Sequence, residues 1–357
     1  MSFTPGPQDN AAGYEHGSSG PRRGHKARNV LIVAAAVVIV AALIAGGYVV
    51  NLARTYNEKS ETIETAFPEE STRPQKQGPV NGKAPINILV MGSDSRGATE
   101  VDAVNGSATD QRADTLMLMH VPADRKNIYT ISLMRDLWVG IPNHGEAKIN
   151  AALALGGVPL MVQTVESIFG QRIDHVAMVD FEGFSGLTGA LGGIDVQVSV
   201  PFASSSMPDQ YFAPGSNTLN GTQALAFVRE RYAFADGDYQ RVRNQQSFLK
   251  GVIAKTLNAD TLSNPVTVNN LVGAVSPFIS VDKGVDAATV AGLAMELKDV
   301  RPQNMVMFTL PTLGIGTSAD KQSIVRPQPE AIEKIAAALS SGTLGDYVAA
   351  NNFEKGN

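Results

Sequence analysis

The chain has no cysteine, which excludes disulfide bridges, cysteine-ligated zinc and thiol catalysis. It also lacks a basic excess. Over 357 residues the formal net charge is −5, whereas nucleic-acid-binding domains carry a surplus of Lys and Arg. Any polyanion the protein handles must therefore be met by a local cluster of cations. No internal repeat is visible, and no G-x-x-x-x-G-K-[ST] phosphate loop occurs. What is present, 43% hydrophobic and 18% charged residues, is an ordinary globular balance with ample length for a core.

One segment departs from that balance. Val30 to Val50 is an uncharged run that as a helix would be ~31 Å long, enough to cross a bilayer core. No A-x-A cleavage site closes it, and its apolar core is too long for a removed signal peptide. Arg22, Arg23, Lys26 and Arg28 precede it, while Glu58, Glu61 and Glu64 are mixed with Arg54 and Lys59 after it. The positive-inside rule then puts the N-terminus in the cytoplasm and the rest of the chain outside the cell membrane, on a single pass. The expected organisation is a disordered cytoplasmic tail (1–29), a transmembrane signal anchor (30–50) and a polar stalk (51–84). One domain follows (85–345), then a C-terminal tail (346–357).

The domain alternates strand and helix signals. Ile86 to Met91, Thr115 to Val121 and Asn127 to Met134 are short apolar runs that suit buried strands. Leu160, Met161, Val165, Ile168 and Phe169 follow helical spacing up to Gly170, and Phe181, Phe184, Leu187 and Leu191 do so up to Gly192-Gly193. His175 to Val179 and the alternating Val196, Val198 and Val200 are strand-like. Gly221 to Phe227, Tyr239 to Leu257 and Glu330 to Leu339 have helical composition, and Met305 to Leu310 is a further strand. This is an α/β or α+β pattern, with helices packed on a central sheet.

Chemistry could sit at the strand ends. Asp94 follows the first strand and Asp114 precedes the second, so the two acids could meet across a small gap. Paired carboxylates that leave room for phosphate suit Mg²⁺. On spacing alone, a turn cap at Asp94 and a pair between Arg112 and Asp114 account for them better. Arg135-Asp136 ends the third strand, where Arg135 either points into a cleft or pairs with Asp136. Asn150 is placed to cap the next helix. The densest cation cluster is Arg229-Glu230-Arg231, followed by Asp238, Arg241 and Arg243. Arg229 and Arg231 share a face only if the chain is extended there. Asp238, Arg241 and Gln245 follow helical spacing into Phe248 and Val252, with Arg243 on another face. Such a stripe is either an arginine stem with an ion-pair partner or a diphosphate pocket of guanidinium forks.

The segments G-S-D-S-R, R-A-D-T, S-L-M-R-D-L-W-V, K-I-N-A-A, V-D-F-E-G-F, L-G-G-I-D-V, L-N-G-T-Q-A-L-A-F-V-R-E-R and G-D-Y-Q-R-V-R-N-Q-Q occur in this order. Together, over about residues 85–255, they resemble the LytR–CpsA–Psr family. The resemblance implies an α/β/α sandwich with a central mixed sheet and a hydrophobic groove for a polyprenyl chain. It also implies a phosphotransferase that moves a glycopolymer from a polyprenyl-pyrophosphate carrier to peptidoglycan as a phosphodiester, with no nucleic-acid partner. By matching motifs, Asp94 and Asp114 correspond to ligands of Mg²⁺ (or Mn²⁺ in its place). Arg112, Arg135, Arg229, Arg231, Arg241 and Gln245 correspond to pyrophosphate-binding positions. Arg135, Asp238 and Arg241 are the expected catalytic residues, Asp238 orienting an arginine or serving as base.

Two departures stand out. Ala98 to Gln111 adds a polar loop between the two acids, and Asn244 replaces the family's second arginine, with Arg243 one place earlier. The variants F-V-R-E-R and R-V-R-N-Q-Q have an actinobacterial style that suits arabinogalactan; teichoic acid and capsule stay open. So do two other functions: a pyrophosphate hydrolase, and a non-catalytic lipid-binding or regulatory protein of the envelope.

Overall fold

The computed structural model describes residues 1–2, 46–93, 113–256, 261 and 263–353, with the side chains of residues 93, 114 and 180–184 left aside. The chain divides into two units, Met1–Asn51 and Leu52–Asn357. Of the first unit, residues 46–51 are helical; the remainder of the apolar run, 30–45, lies outside the described residues.

The second unit is built on a seven-stranded mixed sheet. Its strands are β1 (Glu61–Ile63), β2 (Ile86–Ser93), β3 (Ala113–Val121), β4 (Ile128–Leu133), β7 (His175–Asp180), β12 (Ile279–Asp282) and β13 (Met305–Thr309), in the order β1-β12-β7-β2-β3-β4-β13. The apolar runs form strands because alternate residues are buried on opposite faces. Leu89, Met91, Leu116, Leu118, Ile131 and Val176 belong to the main core, under helices α1 (Ala151–Phe169) and α7 (Pro329–Ser341). Met119, Val121, Ile128 and Met305 face the other way, against Leu249 and Ile253 of α4 (Asp238–Thr256). Helices thus cover both faces. Helices α2 (Phe181–Ala190), α3 (Gly221–Arg229), α5 (Pro265–Val275), α6 (Ala287–Glu296) and α8 (Leu344–Ala350), the helical residues 52–59, and the pairs β5–β6 (Trp138–Ile141, Gly145–Lys148), β8–β11 (Ile194–Val198, Gly215–Leu219), β9–β10 (Phe202–Ala203, Tyr211–Phe212) and β14–β15 (Thr312–Thr317, Ser323–Pro327) also belong to the second unit.

α1 is long and apolar enough to cross a membrane, with a mean hydropathy of 1.4. It is a core helix: Leu153, Val158, Met161, Val162 and Val165 are fully buried. Gly170 ends it at φ 61°, the left-handed conformation that glycine accepts without strain.

Several local expectations change on folding. Part of the segment expected as a stalk is built into the sheet: β1 pairs in parallel with β12, and Ile63 is buried. The Arg73 guanidinium lies over the Phe67 ring and 2.7 Å from Glu166 of α1. Packed structure also continues past residue 345, where Leu344 and Val348 are buried and Phe353 stacks on Phe308. Asn150 makes no capping bond, because its own backbone is already helical. β8 stops at Val198 ahead of Pro201, leaving Val200 exposed. The chain is extended at Glu230 but not at Arg229, which is the last residue of α3.

Candidate active site

The register of the sheet gathers the site. Ser93 pairs with Asp180 in the parallel partner β7 and with Ala113 in the antiparallel partner β3. Leu116 pairs with Leu133, and Ser132 with Thr309. The C-terminal ends of β2, β4, β7 and β13 therefore share one edge with the N-terminal end of β3, the edge at which α/β sheets bind ligands. Gly92 pairs with Thr115 and Ser93 with Ala113, so Asp114 is the unpaired residue of a bulge. Bulges are over-represented beside active sites because they re-aim the chain. Asp94, Arg112 and the loop Ala98 to Gln111 lie outside the described residues. No cluster of three or more metal-ligating side chains occurs among the described residues.

Above this edge stands the first turn of α4. Asp238 is the hub: its carboxylate lies 3.4 Å from Arg135 Nε, 3.3 Å from Arg241 Nη2 and 3.9 Å from Arg231 Nη1. An acid in a first helical turn suits the helix dipole, but the cations around it do not. Three guanidiniums share one carboxylate, and the Arg241 side chain is only 7% exposed. Positive charge gathered at a helix N-terminus is a site made for an anion.

Each arginine is held from behind. Arg135 follows β4, and its carbonyl accepts from the Asn150 amide at 3.2 Å, while the Asp136 carbonyl accepts from Val325 at 2.8 Å. Arg231 is set by the turn after α3. Asn220 and Gln223 form a reciprocal capping box at the start of that helix. Glu230, 2% exposed, accepts from the amides of Arg231, Tyr232 and Ala233 and from Ser205. Burial opposes the Glu230 charge, yet these bonds prevail and hold its carboxyl below the usual range. Around it Phe202, Phe212, Phe227 and Phe234 pack as an aromatic cluster. α4 is bolted down by three consecutive amides: Asn244 donates to Phe227 O, Gln245 to Val228 O and Gln246 to Ser132 Oγ.

The residues expected from sequence separate into groups. Arg135, Arg231, Asp238 and Arg241 come together. Arg229 is exposed at the end of α3. Gln245, expected among the pyrophosphate contacts, has its amide committed to Val228 O and lies on the wall of a cavity. Arg243 faces away, donating to Gln240 and Asp236. Asn244, which stands where the family has a second arginine, is buried and bonded to Phe227 O. Glu230 and Gln246 escaped the sequence reading, since each acts through a partner remote in the chain.

The cavity, of about 360 Å³, begins one helical turn past Arg241. Val90, Met117, Leu187, Phe248, Val252 and Leu271 give it apolar walls, and Gly92 and Thr115 bring it to the rung beside Asp114. Tyr56 closes part of it, its hydroxyl donating to Val285 O at 3.1 Å. Burial pushes that phenol up to about 12, with the charges of Asp282 and Asp286 adding to the effect. An apolar cavity thus abuts a cationic hub, an arrangement matched to a molecule with an apolar tail and an anionic head.

Comparison with known proteins identifies the family and the fold. A polyisoprenyl-teichoic acid–peptidoglycan teichoic acid transferase, TagU of Enterococcus faecalis, is 30% identical over 236 residues, 66% of this chain and 73% of the relative. The cell wall biosynthesis protein LcpA of Corynebacterium glutamicum is 26% identical over 279 residues, 67% of this chain and 52% of that protein. Among solved structures, B. subtilis TagV superposes with a TM-score of 0.61 at 25% identity, covering 73% of this chain and 98% of TagV. TagT bound to LI-WTA shares the fold, with a TM-score of 0.60 at 23% identity over 77% of this chain and 97% of TagT. The sequence profile of the LytR_cpsA_psr family matches residues 47–341, and the chain belongs to that family.

Proposed function

We propose that the protein transfers a glycopolymer from a polyprenyl-pyrophosphate carrier to peptidoglycan, leaving a phosphodiester link. The observation that carries this reading is the junction of the apolar cavity with the Arg135–Arg231–Arg241 cluster around Asp238. A polyprenyl chain fits the first and its diphosphate the second. In the reaction a hydroxyl oxygen of the acceptor attacks the glycan-proximal phosphorus, and its proton passes to the departing phosphate. The bond from that phosphorus to the bridging oxygen breaks, and polyprenyl monophosphate departs. The guanidiniums lower the barrier by standing preorganised where charge moves onto the leaving phosphate. Asp238 holds Arg135 and Arg241 in place.

Asp94 and Asp114 would hold Mg²⁺ (or Mn²⁺), supported by the bulge that sets Asp114 out of register at the strand edge. Carboxylate and phosphate oxygens form the hard donor set that this ion prefers, and when bound it would supply charge neutralisation at the diphosphate. The run Val30 to Val50 would be the anchor, with residues 1–29 in the cytoplasm and the catalytic unit outside, which raises the effective concentration of enzyme near its lipid substrate. Arabinogalactan is the polymer that the motif variants favour.

The test is an assay of purified full-length protein with a lipid-linked saccharide, with and without a peptidoglycan fragment. The phosphodiester adduct is expected in its presence. Free saccharide phosphate as the sole product with acceptor present would establish a hydrolase instead; bound lipid with no turnover would establish a carrier or regulator. Asp94→Ala and Asp114→Ala should each remove metal-dependent turnover while preserving the fold, and wild-type turnover in both would place the metal elsewhere.

A further inference from the structure

A second cavity, of about 270 Å³, is lined in part by Arg135. It shares no lining residue with the apolar cavity. Its walls are Asp136, Lys148, Asn150 and Gln322, with Ala147 and Ala151 leaving the room. We propose that this cavity is the acceptor subsite and that it takes a hydroxyl-rich, amide-bearing saccharide ring; the proposal rests on the transferase reading above.

Three observations carry it. First, position: Arg135 lines this cavity, and its Nε stands 3.4 Å from Asp238 and 3.7 Å from Asp136, so one guanidinium belongs both to the diphosphate hub and to this cavity. A ring seated there presents its hydroxyl beside the phosphate that Arg135 holds, which is the proximity an attack requires. Second, chemistry: the lining offers the Arg135 guanidinium, a carboxylate, an ammonium and two carboxamides, that of Gln322 donating to Asp320, and no large apolar side chain. Lys148 lies 3.2 Å from Asp136 and offsets its charge, so the lining holds both donors and acceptors, as a polyol requires. Third, Asn150 is 6% exposed. Its carboxamide makes no capping bond to α1 and is hydrogen-bonded to no described residue. Its polar atoms are not among the buried, unpartnered ones, so the carboxamide opens to the cavity and can donate and accept toward a ligand there. The volume, just below the ~300–1,000 Å³ of sites for drug-sized ligands, suits a single sugar ring with its substituent.

The experiment uses the full chain in a lipid nanodisc and a soluble disaccharide-peptide fragment of peptidoglycan. Saturation-transfer NMR reads fragment binding without lipid donor, and the transfer assay reads KM for the fragment separately from KM for the donor. Asn150→Ala should weaken fragment binding and raise its KM about tenfold, the loss of one to two buried hydrogen bonds. Gln322→Ala, on an exposed turn that tolerates change, should do the same by a few-fold. Arg241→Lys should instead lower kcat and leave fragment binding in place. Unaltered fragment binding in folded Asn150→Ala and in Gln322→Ala would overturn the proposal, as would competition between fragment and lipid donor for one site. A wild-type protein that binds the fragment here yet transfers nothing to it would refute the transferase reading and leave the saccharide site standing.

Discussion

Replacing Arg241 by Lys keeps the charge and removes the fork. The Arg241 side chain is 7% exposed and pairs with Asp238 at 3.3 Å within the first turn of α4. An ammonium on the same stem can still meet Asp238, so the fold should survive; a change of ~1 kcal/mol would move Tm by about 2–4 °C in a domain of this size. What it cannot do is donate to Asp238 and to a phosphate oxygen at once in a fixed plane. Losing one preorganised donor in a dry site costs on the order of 2–4 kcal/mol in the transition state, roughly 10²–10³ in rate. Arg243→Lys is the control two residues away. Arg243 is a third exposed and reaches Asp236 and Gln240, not the hub; such a surface pair is worth ~0–1 kcal/mol, so transfer should change less than about fivefold. Combining Arg135→Lys with Arg241→Lys should cost less than the product of the single effects, because both act on one charge. The assay is transfer of a lipid-linked saccharide to a peptidoglycan fragment at saturating donor. A harmless Arg241→Lys beside a crippling Arg243→Lys would refute the assignment of the helix face.

Glu166→Ala removes the buried carboxylate partner of the Arg73 guanidinium, leaving it the Ile173 carbonyl and the exposed Glu70 at 4.0 Å; both side chains of the lost pair are at most 5% exposed. It should cost about 3–5 kcal/mol in urea denaturation, and an unchanged midpoint would show that residues 61–84 do not support the fold. Val252→Trp fills part of the apolar cavity. If it displaces four or so methylenes of a bound chain, it should weaken binding by ~3 kcal/mol, read as loss of co-purifying polyprenyl phosphate by native mass spectrometry; retention at the wild-type level would place the chain elsewhere. Burial pushes His120 down from 6.5 to about 4, and its ring is hydrogen-bonded to Asn87 at 2.7 Å. Stability from the neutral ring is therefore fully present above pH 6.5 and is lost as pH falls towards 4, a span worth roughly 3 kcal/mol. His120→Gln should flatten that part of the pH–stability curve, and an identical acid limb in the variant would assign it to other groups.

Much of this architecture was legible in the sequence because burial on two faces leaves a plain signature. The runs at Ile86 and Thr115 are mostly apolar on both faces, as central strands are, the run at Asn127 adds only small polar residues, and each became a strand. The helical phase of Asp238, Arg241 and Gln245 was also readable, since a period of 3.6 residues needs no knowledge of the rest of the chain. What escaped depends on partners far away or on backbone detail. Arg73 reads as a solvated stalk residue until Glu166, 93 positions later, arrives beside it. Glu230 reads as the acid of a charged run, whereas it orders the turn that carries Arg231. Gln245 had the expected face, and the bond of its amide to the Val228 carbonyl was not legible because that carbonyl belongs to another helix. The bulge at Asp114 arises from register, and register is a property of two strands.

The most direct test of the account is the structure of the protein with a polyprenyl diphosphate bound. The chain should fill the cavity between β2, β3 and the helices α4 and α5, touching Met117, Val252 and Leu271. Its diphosphate should lie within hydrogen-bonding distance of Arg135 and Arg241. A lipid lodged on another surface, or a diphosphate remote from both arginines, would contradict it.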